Sequence, residues 1–234
     1  KEQFLHDLQA ANVVGGVVHT GQDGSDYQDL SEHNIISCYG LSSNFSPVHL
    51  DQLLRSKKFN CIKVYLGYVY KYADDPHYKK AYRLAEKYKV PVVFHTGDTY
   101  SSDGKLKYSE PLRIDEVAVE FRNVNFVIAH MGNPWIQTAA ELAYKNPNVY
   151  LEGSALMIGK LSRLSPEEQE ALIIEPLRWT FMFLEDPEKL LFGSDYPLVQ
   201  ISEYADVFKK AIPEEHWQAV FHDNAVRIFG LRQN

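Results

Sequence analysis

Three polar residues stand at the ends of apolar runs. His95 closes VPVVFHTGD, His130 closes VNFVIAHMGN, and Asp195 closes KLLFGSDYP. Imidazole and carboxylate are the side chains that hold a zinc-like divalent ion with an open coordination position. Such an ion brings the pKa of bound water to about 7 and polarises a carbonyl oxygen. Asp195 is expected to hold the metal and accept the proton of that water. His130 is expected to orient the water or to steady a developing oxyanion. Asp195 gives the sharpest signal, because a carboxylate after LLFGS is costly to bury unless it is paired or metal-bound. Either histidine alone has a plainer reading as a hydrogen-bonded core residue; the three together carry the functional one.

Two further residues join them. Lys63 lies inside the strand-like run CIKVYLG, where a lysine must reach a partner. It is either a cation facing the site or a stem that runs its charge out to water. Tyr65 follows, then Tyr68, Tyr70 and Tyr72, which either line a substrate mouth or simply pack. Lys63 and Tyr65 are taken as the substrate-binding candidates. His19 also ends an apolar run, but the GQDG turn after it is an ordinary exit, and no metal role is expected of it. His6, His33, His49, His77, His216 and His222 read as surface or cap residues.

Positioning these groups falls to strands and helices in alternation. The three runs lack period-2 alternation, which suits parallel strands buried on both faces. A polar residue at the carboxyl end of such a strand is where a (β/α) barrel keeps its chemistry. Strands are read at VVGGVVHT, IISCYGLS, CIKVYLG, VPVVFHTG, VNFVIAHMG, NVYLEGSAL and LLFGSDYP. Helices begin at Ser46-Pro47, with proline at an early helical position, and at Asp74-Asp75-Pro76, with acids at the positive end and lysines at the negative end. SPEEQEALIIEPLRWTFMFLED supplies helical material broken at Pro176. The polar loop from Tyr100 to Glu110 reads as a lid. Connections this short leave one domain spanning residues 1–234, with parallel strands joined by right-handed helical crossovers.

Seven strands, led by a helix with no strand before it, are one short of an eight-stranded barrel. The fold expected is therefore α/β, a TIM-like (β/α)8 barrel lacking its first strand, with that strand upstream of Lys1 in the full protein.

Composition narrows the partners. The 234 residues are 45% hydrophobic and 24% charged, with a net charge of -7, close to globular averages. No basic stripe exists to neutralise phosphates, so nucleic acid is not expected. No apolar stretch approaches the roughly 20 residues of a spanning helix, so no membrane is expected either. The partner is a small-molecule substrate, with homo-oligomerisation left open. Cys38 and Cys61 sit in apolar runs and read as buried free thiols of a reducing, cytoplasmic compartment.

At these residues the chain resembles the amidohydrolase superfamily, in its amidohydrolase-related (amidohydrolase 2) branch. That branch includes aminocarboxymuconate-semialdehyde decarboxylase, aromatic-acid decarboxylases, and lactone or amide hydrolases. The resemblance runs through CIKVYLGYVYKYADDPHYKKAYRLAEKYKVPVVFHTGDT, FVIAHMGNPW, AYKNPNVYLEGS, LLFGSDYP and NAVRIFGL. It implies a (β/α)8 barrel with zinc, or alternatively manganese, at its carboxyl-terminal mouth. His95, His130 and Asp195 match the family's metal ligands, and His130 and Asp195 also its catalytic pair. Lys63 falls on the strand where some members carry a carbamylated lysine; that role is not transferred. One departure is serious: the family's first-strand His-x-His pair, two further ligands, occurs nowhere in this chain.

The resemblance and the residues together imply a metal-dependent hydrolase of a small amide, ester or lactone. The alternatives are a metal-dependent, non-oxidative decarboxylase of an aromatic or muconate-like acid, and a non-catalytic barrel that has lost its metal.

Overall fold

Branched and aromatic runs four to seven residues long form most of the strands, as their two-sided apolar surface requires. The computed structural model describes residues 2–233. The strands are β1 (Gly16–Gln22), β2 (Ile35–Leu41), β3 (Cys61–Tyr65), β4 (Val92–His95), β5 (Phe126–Ala129), β6 (Val149–Glu152) and β7 (Leu190–Leu191). They pair in chain order, each parallel to the next. Helices fill the connections and cover the outer face, so the sheet curls into a TIM-like barrel of seven staves. The position between β7 and β1 is unfilled, which agrees with a missing first strand.

Alternate residues of each strand enter two different cores. Ile62, Val64, Val92, Phe94, Phe126, Ile128, Val149 and Leu151 pack outward against the helices. Cys38, Cys61, Val93, Val127, Ala129, Tyr150 and Leu191 pack inside the curl, joined by Ile228, Phe229 and Leu231 from the end of the chain. The period of two then selects the residues that face inward at the carboxyl ends. Counting on from Cys61 gives Lys63 and Tyr65, from Val93 gives His95, and from Tyr150 gives Glu152.

Local chemistry sets the helix boundaries where the sequence puts them. Ser46 caps Pro47–Arg55 by accepting the His49 backbone N–H at 3.3 Å, and Asp75 caps Pro76–Tyr88 by accepting that of His77 at 2.8 Å. Each helix has proline in its first turn, where a missing N–H costs nothing. Lys89 ends the second helix in the left-handed conformation.

Two expectations are corrected. Pro176 does not break its helix: helical structure runs from Pro166 to Leu184 through a wide turn at Glu170–Ile174. That turn closes with the Glu175 N–H on the Glu170 carbonyl. The longer hydrogen-bond spacing relieves the proline of the bond it cannot donate. The cysteines are not free thiols either. Cys38 and Cys61 are register partners on β2 and β3, with Cα atoms 4.3 Å apart, and form a disulfide. Adjacent parallel strands present their inward side chains side by side, which brings the two sulfurs together. The thiol argument for a reducing compartment therefore falls. No helix among the described residues is long and apolar enough to cross a membrane.

Candidate active site

The carboxyl ends of β3 to β7 bring five ionisable side chains to one rim, and β1 adds a sixth. They are His19, Lys63, His95, His130, Glu152 and Asp195. His95 is the last residue of β4. His130 starts a tight turn, His130–Gly132, directly after β5, with φ of 62°. Asp195 follows β7 with φ of 61°. Left-handed backbone at two non-glycine residues is costly, and such strain gathers at functional sites. The His95 and His130 rings lie edge to face, 4.9 Å between centroids.

Hydrogen bonds fix both imidazoles. His95 Nε2 is 3.0 Å from the Asp98 carbonyl oxygen; a carbonyl only accepts, so Nε2 carries the proton. His130 Nδ1 is 2.9 Å from the Ser154 hydroxyl and 3.3 Å from the Ser154 carbonyl. Behind it, the Ser154 hydroxyl donates to Glu152 at 2.8 Å. The loop after β4 is held close enough to the β5 turn that Gly97 is obligatory. Its φ is +82°, and a β-carbon there would overlap the Asn133 carbonyl.

Burial sorts the charges. Lys63 is 3% exposed, so it is not a surface stem that runs its charge out to water. Burial lowers its pKa to about 8, opposed by the Asp195 and Glu152 carboxylates. None of the ion pairs among the described residues includes Lys63. Burial pushes Glu152 up to about 7, against the Ser154 hydroxyl bond and the Lys63 charge. Its Oε1 is enclosed and without a hydrogen-bond partner. His130 is lowered to about 4 by burial and then by Lys63, with Asp195 opposing. His95 is likewise lowered, by burial first and then by its neighbours His130 and Lys63.

Asp195 departs from its expectation. Its residue is exposed, because β7 is an edge strand and one flank of it is open. The residue therefore does not meet the burial that its expectation rested on. The rim carboxylate with an enclosed oxygen is that of the half-buried Glu152, which is absent from the candidates drawn from sequence. Its signal is present there: VYLEGS has the same grammar as VVFHTG, an apolar run closed by a polar residue and a glycine. His19 is the second omission. The surrounding protein and then the Lys63, His130 and His95 charges lower its pKa, so it shares their electrostatic neighbourhood. Its side chain is nevertheless exposed at the free edge of β1, where water moderates that effect.

The tyrosines after β3 are mostly fasteners. Tyr65 donates to the Thr20 carbonyl at 2.6 Å, so its hydroxyl proton is committed to β1 and its ring is the part left as a wall. Burial, with Asp195 adding to it, pushes its pKa to about 12. Tyr68 meets His95 at a tilt, 4.8 Å between centroids, and accepts the Tyr100 backbone N–H at 2.8 Å. Tyr70 donates to the Asp103 carbonyl at 2.6 Å. The Tyr100–Glu110 loop is thus tied down along its length, and Ser109 closes it by donating to the Gly97 carbonyl at 2.6 Å.

The donor chemistry, imidazole and carboxylate, suits a zinc-like ion, but the convergence does not. Among the described residues no three His, Cys, Asp or Glu side chains come together closely enough to hold one. His95, His130 and Asp195 share the rim without forming a ligand cluster, although each imidazole keeps one nitrogen free of its protein hydrogen bond.

A family model described as amidohydrolase matches residues 47–231. No curated protein matches the chain. Among solved structures, an uncharacterised TIM-barrel protein from Bordetella bronchiseptica superposes with a TM-score of 0.74 at 21% identity, covering 98% of this chain and 82% of that one. A probable 2-pyrone-4,6-dicarboxylic acid hydrolase from Acinetobacter baumannii, with citric acid bound, gives 0.71 at 15% identity, covering 98% and 88%. A 5-carboxyvanillate decarboxylase from Novosphingobium aromaticivorans, with bound manganese and 3-methoxy-4-hydroxy-5-nitrobenzoic acid, gives 0.67 at 12% identity, covering 99% and 81%. At these identities the likeness is one of fold.

Proposed function

The chain belongs to the amidohydrolase family, and we propose that it hydrolyses a small amide, ester or lactone of an organic acid. The observation that carries this reading is Lys63, a buried cation on the rim that forms no ion pair with a carboxylate among the described residues. An anionic substrate group would complete it. The wall beside it is the Tyr65 ring, with the Lys63 ammonium 5.7 Å from its centroid.

In this reading the substrate carboxylate pairs with Lys63, which places the scissile carbonyl near the β4, β5 and β7 ends. His130 orients the attacking water. Asp195, exposed and within electrostatic reach of Lys63 and His130, takes the water's proton and passes it to the leaving group. The family resemblance implies a divalent ion, zinc or manganese, and the decarboxylase neighbour holds manganese. Bound, it would supply a more acidic water. The present donors do not fit it unaided, so the steps assigned here use side chains alone.

The test is turnover of small lactones, esters and amides of aromatic and muconate-like acids, with and without added zinc or manganese, in ¹⁸O-labelled water. Label entering the acid product is expected. Carbon dioxide release without consumption of water would replace hydrolysis by non-oxidative decarboxylation. No turnover, together with no binding of either ion to the full-length protein, would leave a non-catalytic barrel.

A further inference from the structure

His130 can present either ring nitrogen as its lone-pair atom, and the choice decides what it can do. An imidazole protonated on Nε2 donates from that atom and could steady an oxyanion. One protonated on Nδ1 offers Nε2 only as an acceptor, able to hold a water proton. The two roles exclude each other in a neutral ring.

Three contacts bear on the choice. The Ser154 carbonyl, 3.3 Å from Nδ1, has no proton to give, so Nδ1 must donate to it. The Ser154 hydroxyl, 2.9 Å from Nδ1, has one proton. That proton goes to Glu152 Oε2 at 2.8 Å, leaving the oxygen's lone pairs toward the ring. Both acceptors therefore ask for the same tautomer. Ser154 is 2% exposed, so water does not compete for its hydroxyl. Glycine at 193 keeps the space for the carboxylate that orients it.

We propose that Ser154 and Glu152 are positioning residues that lock His130 as the Nδ1–H tautomer, leaving Nε2 its only lone-pair nitrogen. In the proposed hydrolysis this assigns His130 to orienting water and removes oxyanion donation from its repertoire. That catalytic consequence rests on the hydrolase reading; the tautomer itself does not.

The test is a long-range proton–nitrogen correlation spectrum of the ¹⁵N-histidine-labelled full chain. The wild-type His130 proton is expected on Nδ1, shifted downfield and slow to exchange. Ser154→Ala should speed its exchange roughly tenfold, the loss of one buried hydrogen bond, and Ser154→Thr should restore it. If Ser154→Ala does not fold, the wild-type spectrum and Ser154→Thr still decide. A wild-type proton on Nε2, or a Ser154→Ala spectrum identical to wild type, overturns the proposal. Should turnover be absent while the Nδ1 proton is found, the hydrolase reading fails and the tautomer assignment stands.

Discussion

Glu152 and Gly193 compete for one volume: the Glu152 Oε1 atom occupies the place that a β-carbon at position 193 would take. The φ of Gly193 is not in the left-handed region, so the need for glycine is steric, not conformational. Gly193→Ala should destabilise the fold by about 1–3 kcal/mol, the usual cost of overpacking. It should also displace Glu152 from Ser154. Denaturant unfolding checks the first effect, and the His130 proton signal checks the second.

Lys63→Met separates binding from stability. Removing the unpaired cation should weaken binding of a small polycarboxylate such as citrate roughly tenfold or more, read by calorimetry. Stability should move the other way. Lowering the Lys63 pKa from 10.5 to about 8 corresponds to about 3 kcal/mol of burial penalty carried by the charged form. The methionine variant avoids that penalty, so its unfolding midpoint should rise.

The same group fixes a pH dependence. Between about 8 and 10.5 the unfolded lysine holds a proton that the folded one has lost. Stability contributed by this site therefore rises with pH across that window. Anion affinity behaves oppositely, since the charge that attracts the ligand disappears as pH passes about 8. Citrate titrations on either side of that value check the sign.

At acid pH two neighbours oppose each other. Glu152, raised from 4.5 to about 7, contributes stability that is present below its unfolded value and lost as pH rises through about 7. His130, lowered from 6.5 to about 4, contributes stability that is gained as pH rises from about 4 to 6.5. Glu152→Gln removes the first slope and leaves the second. Its stability should then climb more steeply with pH across that interval than that of the wild type, as denaturant midpoints would show.

The disulfide is open to direct measurement. Thiol labelling of the folded protein should find no reactive cysteine. Cys38→Ser with Cys61→Ser should cost about 2–4 kcal/mol. A free thiol count of two in the unreduced, unfolded protein would contradict the bond.

Local signals were the legible ones. Ser46 and Asp75 announced their helices because a cap needs only its own next few residues. His95 and His130 announced strand ends because both-face burial writes itself as an unbroken apolar run. What depends on neighbours across the sheet stayed hidden. The Cys38–Cys61 bond follows from register between β2 and β3, which no spacing in the chain encodes. The exposure of Asp195 follows from β7 being an edge. Glu152 is hard to single out in the sequence because a glutamate is usually a surface residue, and only the inward count from Tyr150 shows where it points. Pro176 reads as a break because the wide turn ahead of it has no residue signature.

Exposure divides the rim into two electrical halves. His19 and Asp195 are exposed and share their field with the surrounding electrolyte. Lys63 and Glu152 lie behind walls where small ions do not mingle. Raising ionic strength therefore screens the exposed Asp195 carboxylate while leaving the pull between Lys63 and Glu152 almost untouched.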